Sequence, residues 1–278
     1  MPDLFAALLL GLIEGITEFL PISSTGHLLI AEHWLGQRSD LFNIAIQAGA
    51  ILAVVVIYER RLWQLVKGFH PWRRRADAID PHHPHDYALK LAAAFGVTAI
   101  GGLAVKALGW TLPETLKPIA WALIVGGVWM LVAERAAERQ AARAGEHSRI
   151  TWTVALLVGV AQVVAGVFPG TSRSAAAIFV ALLFGTTQRA AATEFAFLVG
   201  IPTMFAATGY ELLDLWRHGA LGGEDWSALA VAFVASAVTA FVAVKWLLHY
   251  IRSHRFTVFA LYRIVLGAAL VWLLPVAA

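Results

Sequence analysis

The 278-residue chain is 59% hydrophobic and only 14% charged, with a mean hydropathy of +0.71 and a formal net charge of +3; soluble domains carry about 25% charged residues, so an ordinary soluble fold is excluded. The basic excess, a pI near 9.4, lies in short loops between apolar runs, which is the topological use of positive charge in membrane proteins rather than a nucleic-acid footprint. No cysteine is present, so disulfides and thiolate chemistry are excluded as well.

In chain order, residues 3–35 are the first unusual stretch. Their opening does not read as a cleaved signal peptide, because Asp3 is present, no Lys or Arg precedes the apolar run, and polar chemistry begins at Glu14. The run stops at Pro21, and a shorter one follows the polar loop "SSTGH". Neither piece spans a bilayer comfortably, so the stretch reads as a helix–loop–helix hairpin that enters and leaves on one side. Spanning helices are expected at 41–59, 87–107 and 118–134, each near the ~20 residues a bilayer requires. Residues 150–187 repeat the hairpin pattern, with an apolar run stopped at Pro169 and another after "PGTSRS". Three further spans are expected at 193–213, 226–248 and 256–275. The fold class is thus an all-α integral membrane protein of six transmembrane helices plus two re-entrant hairpins. Irregular backbone at membrane depth is tolerated only where it lines a cavity or is buried in protein. Trp34, Trp63, Trp72, Trp110, Trp152, Trp216 and Trp226 sit near segment ends, as an aromatic belt would.

The loops set the orientation. Residues 60–75 hold Arg60, Arg61, Lys67, Arg73, Arg74 and Arg75; 135–149 hold Arg135, Arg139, Arg143 and Arg149; 249–255 hold Arg252 and Arg255. All three belong in the cytoplasm. The 214–225 loop, with Asp214, Glu224 and Asp225 against Arg217, belongs outside, and counting spans puts both termini outside. One hairpin plus three spans then makes a first repeat, 1–140, and an inverted second repeat, 141–278. "GLIEGITEFLPISST" resembles "GVAQVVAGVFPGTSR" when Pro21 is laid on Pro169, which sets Glu14 against Gln162 and Ser24 against Ser172. Inverted repeats with broken helices are a transporter-like architecture.

Both hairpins carry chemistry. Glu14 and Glu18 are four apart and share a helix face. Two carboxylates on an apolar segment are expensive. They suit a hard divalent cation such as Mg²⁺ or Ca²⁺, or one of them suits a general base; the bland reading is an amphipathic helix with a solvated edge. Ser23, Ser24, Thr25, Gly26 and His27 offer hydroxyls, a flexible backbone and a titrating ring, though serine and threonine also cap helices routinely. In "PGTSRS", Pro169 ends one helix, Gly170 frees the backbone, and Ser172 or Ser174 starts the next. A helix N-terminus binds phosphate, and Arg173 adds a permanently charged fork suited to its oxygens. An ion pair of Arg173 with Glu14 or Glu18 is the plainer alternative. If the two tips meet, they form a site for a phosphate ester and a cation.

At these residues the chain resembles the undecaprenyl-diphosphate phosphatase family linked to bacitracin resistance. The resemblance is carried by Glu14-x-x-x-Glu18 with "FLPISSTGH", by "PGTSRS", and by "TEFAFLVGIP" at 193–202, with length and hydropathy agreeing over the whole chain. It implies hydrolysis of a C55 isoprenyl diphosphate to the monophosphate in the bacterial plasma (inner) membrane, recycling the lipid carrier of cell-wall synthesis. It also implies that Glu14, Glu18, Ser23, Ser24, His27, Ser172 and Arg173 are site residues. Within that set Glu14 and Glu18 are the expected metal ligands. Ser24 is the expected nucleophile, with Ser23 and direct attack by water as rivals, Glu18 as base, and His27 handling the leaving-group or second-step proton. Phosphate contacts are expected from Ser23, Thr25, Gly170, Thr171, Ser172, Arg173 and Ser174. The family often reads "PG-x-SRS-G-x-T", whereas this chain has Ala175, Ala176 and Ala177, so a family threonine hydroxyl is missing. Expected partners are the lipid diphosphate and membrane lipids, without nucleic acid, and a homodimer is left open. Two other functions compete: a lipid-phosphate transporter or flippase, suggested by the inverted repeat, and a lipid-binding protein without turnover. "HHPH" at 82–85 reads as a solvated loop, Gln47 and Glu194 as cavity-lining, and Glu59 and Glu211 as span ends.

Overall fold

Among the described residues the long apolar runs fold into helix. The structure, a computed structural model, describes residues 2–68, 84–109, 116–219 and 225–273, and among these are eleven helices and no strand. Helix α1, Pro2–Thr17, ends where Pro21 cannot supply the N–H that the Thr17 carbonyl would need. After the turn, Ser23 caps α2, Ser24–Leu35, its hydroxyl accepting from the Gly26 N–H at 3.4 Å. Ser39 caps α3, Asp40–Ile57, in the same way. Then come α4, Glu59–Gly68, α5, Pro84–Ala107, and α6, Leu116–Ala144. Thr151 caps α7, Trp152–Val167, and Pro169 follows its end; Ser172 caps α8, Arg173–Phe184. The chain closes with α9, Arg189–Arg217, α10, Trp226–Tyr250, capped by Asp225, and α11, Thr257–Leu273. Among the described residues, α3, α5, α6, α9 and α10 are long and apolar enough to cross a membrane, while α11 is apolar but has 17 residues. The chain is an all-helical, multi-pass membrane protein.

Two of the basic loops are helical instead. Residues 59–68 form α4, an amphipathic helix that buries Leu65. There Arg61 reaches Glu194 of α9 at 3.0 Å and lies over the Tyr87 ring at 5.0 Å, so Glu194 serves an ion pair. Helix α6 runs on past residue 134 because "ERAAERQAARA" is built of strong helix formers. Glu134 and Glu138 on that extension gain partners: Arg189 at 2.6 and 3.3 Å, the Phe256 N–H on Glu134 at 3.1 Å, and Arg255 on Glu138 at 2.7 Å. The network ties α6 to the starts of α9 and α11. Glu59 does mark an element boundary, whereas Glu211 lies inside α9. Trp72, Arg73, Arg74, Arg75, His82, His83, Trp110, Glu224 and residues 274–275 of the last expected span lie outside the described residues.

The hairpins pack across the halves of the chain. α1 lies against α10, and α7 lies against α5. Small residues permit the approach: a Cβ on Gly15 would sit 2.9 Å from the Ala240 nitrogen, and one on Gly159 would sit 2.6 Å from the Ala94 carbonyl oxygen. Without a hydrophobic drive between helices in lipid, such close packing and interhelical hydrogen bonds carry association. Ser236 donates to the Ile46 carbonyl at 2.6 Å, and Thr98 to that of Gly159 at 3.2 Å. α8 is buried along nearly its whole length between α6, α7 and α9. The first turn is held from below, with Phe19 edge-on to Phe197 at 5.2 Å and Leu20 and Ile22 buried.

Candidate active site

The tips of the two hairpins meet. The Ser24 hydroxyl donates to Glu18 Oε2, and Arg173 Nη2 donates to Glu18 Oε1 at 3.4 Å. One carboxylate therefore holds the first residue of α2 and the first residue of α8. Its side chain is 4% exposed and that of Arg173 31%, so the pair is buried on the carboxylate side and reachable on the guanidinium side. Glu14, one turn earlier on α1, is fully buried within electrostatic reach of Glu18 and Arg173.

The serines divide by role. Ser23 and Ser172 have positive φ, 76° and 69°, which is unusual for a residue with a side chain. Such backbone costs of order 1–3 kcal/mol and persists where its surroundings over-determine it. Here each of these serines caps a helix. At the caps the hairpins match Ser23 to Ser172 and Ser24 to Arg173, one residue from the register obtained by superposing the prolines, because one residue separates Pro21 from its cap and two separate Pro169 from its cap. A relay crosses between the tips: the Ala175 N–H donates to Ser172 Oγ at 3.3 Å, Ser172 and Ser174 share a bond at 3.1 Å, and Ser174 donates to the Leu20 carbonyl at 3.2 Å. The hydroxyls of Ser23, Ser172 and Ser174 are thus engaged by protein. Thr25 is exposed on the first turn of α2, and Gly170 takes φ 92°.

His27 is joined to this centre indirectly. Its Nδ1 lies 2.7 Å from the Ser23 carbonyl, and its Nε2 lies 2.6 Å from the Tyr262 hydroxyl, against which the ring stacks. A carbonyl only accepts, so Nδ1 donates; in the neutral ring Nε2 is then the acceptor from Tyr262. Tyr262 was not singled out by motif, and neither was its neighbour Arg263. Arg263 is 0% exposed and donates to five carbonyl oxygens: Pro21 at 3.3 Å, Gly170 at 2.9 Å, Thr171 at 3.0 Å, Ala122 at 3.1 Å and Leu123 at 3.4 Å. The signal for it was present, since an arginine within an apolar helix is a functional candidate by default.

Glu14 is the residue best suited to a cation. Both of its carboxylate oxygens are buried and have no hydrogen-bond partner among the described residues, whereas Glu18 is shared by Ser24 and Arg173. Among the described residues no group of three or more His, Asp or Glu converges. A cation here would therefore take one or two carboxylates and complete its shell from ligand oxygens, which is the usual manner of Mg²⁺ with phosphates. The arrangement as a whole presents a hydroxyl on a base, a guanidinium, two helix N-termini and an uncommitted carboxylate, which is the set that phosphoryl transfer uses.

The chain is 66% identical over 268 residues to an undecaprenyl-diphosphatase of Rhizobium etli (strain CIAT 652), covering 96% of each chain. It is 60% identical over 278 residues to a protein of the same name from Xanthomonas oryzae pv. oryzae (strain PXO99A), covering 100% of both. The model of the family described as bacitracin resistance protein BacA matches residues 7–269, and the chain belongs to that family.

Proposed function

We propose that the chain is a membrane phosphatase that hydrolyses undecaprenyl diphosphate to undecaprenyl phosphate and inorganic phosphate, recycling the lipid carrier for cell-wall synthesis. The observation that carries this reading is that one buried carboxylate, Glu18, holds the Ser24 hydroxyl and the Arg173 guanidinium together. Relatives of the same length bear the undecaprenyl-diphosphatase name. A carrier of an anionic lipid needs an arginine and helix ends, but not a hydroxyl poised on a base, so the flippase reading is the weaker one.

Ser24 Oγ gives its proton to Glu18 and attacks the terminal phosphorus. The bond from that phosphorus to the bridging oxygen breaks, and the lipid monophosphate leaves. Arg173 turns from Glu18 to the transferring phosphoryl oxygens, helped by the N-terminus of α8. Water then cleaves the phosphoseryl bond, Glu18 returns its proton to the departing Ser24 Oγ, and inorganic phosphate is released; a covalent step divides one hard displacement into two easier ones. The proton of that water reaches His27 Nε2 through the Tyr262 hydroxyl, which passes its own proton to the ring as it takes the water's, while the Ser23 carbonyl holds Nδ1–H. A divalent cation, Mg²⁺ or Ca²⁺, held by Glu14 with Glu18, would neutralise charge on the diphosphate oxygens when bound.

The surrounding architecture in this reading is six transmembrane helices, with α11 as the sixth, and two re-entrant hairpins in an inverted repeat. Support comes from the exchange in packing, α1 on α10 and α7 on α5, and from the paired positive-φ caps. Both termini face outward across the bacterial inner membrane. The test is quenched turnover of substrate labelled in its terminal phosphate. Label is expected on the peptide covering 18–27 in the wild-type protein and not in Ser24→Ala, whose kcat falls by about 1,000-fold or more. Substantial turnover by Ser24→Ala would mean that water attacks directly.

A further inference from the structure

Arg263 is a permanently charged side chain with no solvent exposure, and its recorded partners are all carbonyl oxygens. Two of its bonds go to Gly170 and Thr171 in the second turn, one to Pro21 in the first, and two to Ala122 and Leu123 in α6. Hence one guanidinium fork spans both broken hairpins and anchors them to a long helix. Pro21 lies two residues before Ser23, and Thr171 precedes Ser172, the two positive-φ caps. The residues that follow those caps, Ser24 and Arg173, are the two that meet on Glu18. A shift of either turn therefore moves one partner of Glu18 relative to the other. The planar fork matters: five bonds at fixed angles cannot be reproduced by an ammonium, which has three donors on a flexible stem.

We propose that Arg263 is the positioning residue of the reaction, holding the two hairpin turns in the register at which Ser24 and Arg173 share Glu18, while its uncompensated charge helps draw the anionic headgroup. This rests on the phosphatase reading. It also assigns a role to Gly126 on α6, where an added Cβ would fall 2.8 Å from Arg263 Cζ. Gly126→Ala would thus displace the fork without altering any group that meets substrate.

The test uses the full chain in five forms: wild type, Arg263→Lys, Arg263→Met, Gly126→Ala and the double variant Arg263→Lys with Gly126→Ala. Phosphate release from undecaprenyl diphosphate gives kcat and KM. Spin labels at Ile16→Cys and Val164→Cys, exposed on the first helices of the two hairpins, report hairpin separation independently of activity. Arg263→Lys keeps the charge and loses the fork, so KM stays within about threefold while kcat falls about 100-fold, the scale of a 1 Å misplacement. Gly126→Ala shows the same split, and the double variant is no worse than either single one because both displace one fork. Arg263→Met also raises KM; should it fail to fold, the other two single variants decide. The spin–spin distance shifts or broadens in Arg263→Lys and Gly126→Ala. An unchanged distance, or wild-type kcat in both variants, overturns the proposal. A wild-type protein that releases no phosphate overturns the phosphatase reading instead, and the distance measurement still decides the clamp.

Discussion

Glu14 and Glu18 lie one helical turn apart and differ in their commitments. Glu18 is held by Ser24 and Arg173, while both oxygens of Glu14 are buried without a hydrogen-bond partner. Glu18→Gln should lose turnover at every concentration of Mg²⁺ or Ca²⁺, because a neutral amide cannot take the Ser24 proton. Glu14→Gln should be partly restored by excess cation, because a ligand has been weakened rather than a base removed. A titration of phosphate release against each metal checks this, and equal full activity of the two variants would remove both assignments. The sequence made the carboxylates, Ser24 and Arg173 legible, since charged and hydroxylic residues are costly beside apolar runs and stand out there. It did not make Tyr262 legible, and it marked Arg263 only as a charge within an apolar span, without showing which turns that charge holds. Both lie in an otherwise regular span far along the chain, 242 residues from Pro21 and 235 from His27, and only tertiary folding brings them to the turns.

Among the elements, the broken helices were readable because proline and glycine punctuate them, and the caps were readable as residue types though not as individuals. Which of two adjacent serines caps and which faces Glu18 is decided by the backbone at Ser23, a conformation no propensity specifies. The extension of α6 and the existence of α4 were missed because charged residues near a bilayer read as loop, whereas Arg61 of α4 is paired with Glu194, and Glu134 and Glu138 of α6 are paired with Arg189 and Arg255. The alanines of α8 are a local departure from the resembled family. Ala177 is 1% exposed and belongs to the central apolar cluster, and no bond among Glu18, Ser24 and Arg173 involves it. Ala177→Thr should therefore lower the thermal midpoint in detergent through crowding of about 1–3 kcal/mol, with kcat per folded molecule within about threefold of wild type. Thermal unfolding alongside turnover reads both; a large gain in kcat would show that the missing hydroxyl was limiting.

For the whole molecule, the hydropathy pattern was enough to give an all-helical membrane chain, because in lipid every backbone group must be satisfied within a helix or closed barrel. What it could not give is the exchange of hairpins between halves, which depends on small residues such as Gly15 and Gly159 meeting particular backbones. The expected orientation is directly testable because the chain has no native cysteine. His218, at the end of α9, and Ser253, between α10 and α11, are both exposed. His218→Cys should react with an impermeant thiol reagent added to intact cells, and Ser253→Cys only after the membrane is opened. The reverse pattern would invert the topology and put the first hairpin on the cytoplasmic side.

The central claim is that one buried carboxylate joins two hairpins into a phosphoryl-transfer site, and Arg173 is the residue of the second hairpin on which it depends. The most direct measurement is phosphate release from undecaprenyl diphosphate by purified wild-type protein and Arg173→Ala, each with divalent cation added and then chelated. The account predicts release by the wild type that falls on chelation, and a loss of about 100-fold or more in Arg173→Ala even at saturating metal. Wild-type turnover by Arg173→Ala, or no phosphate release by the wild type, would contradict it.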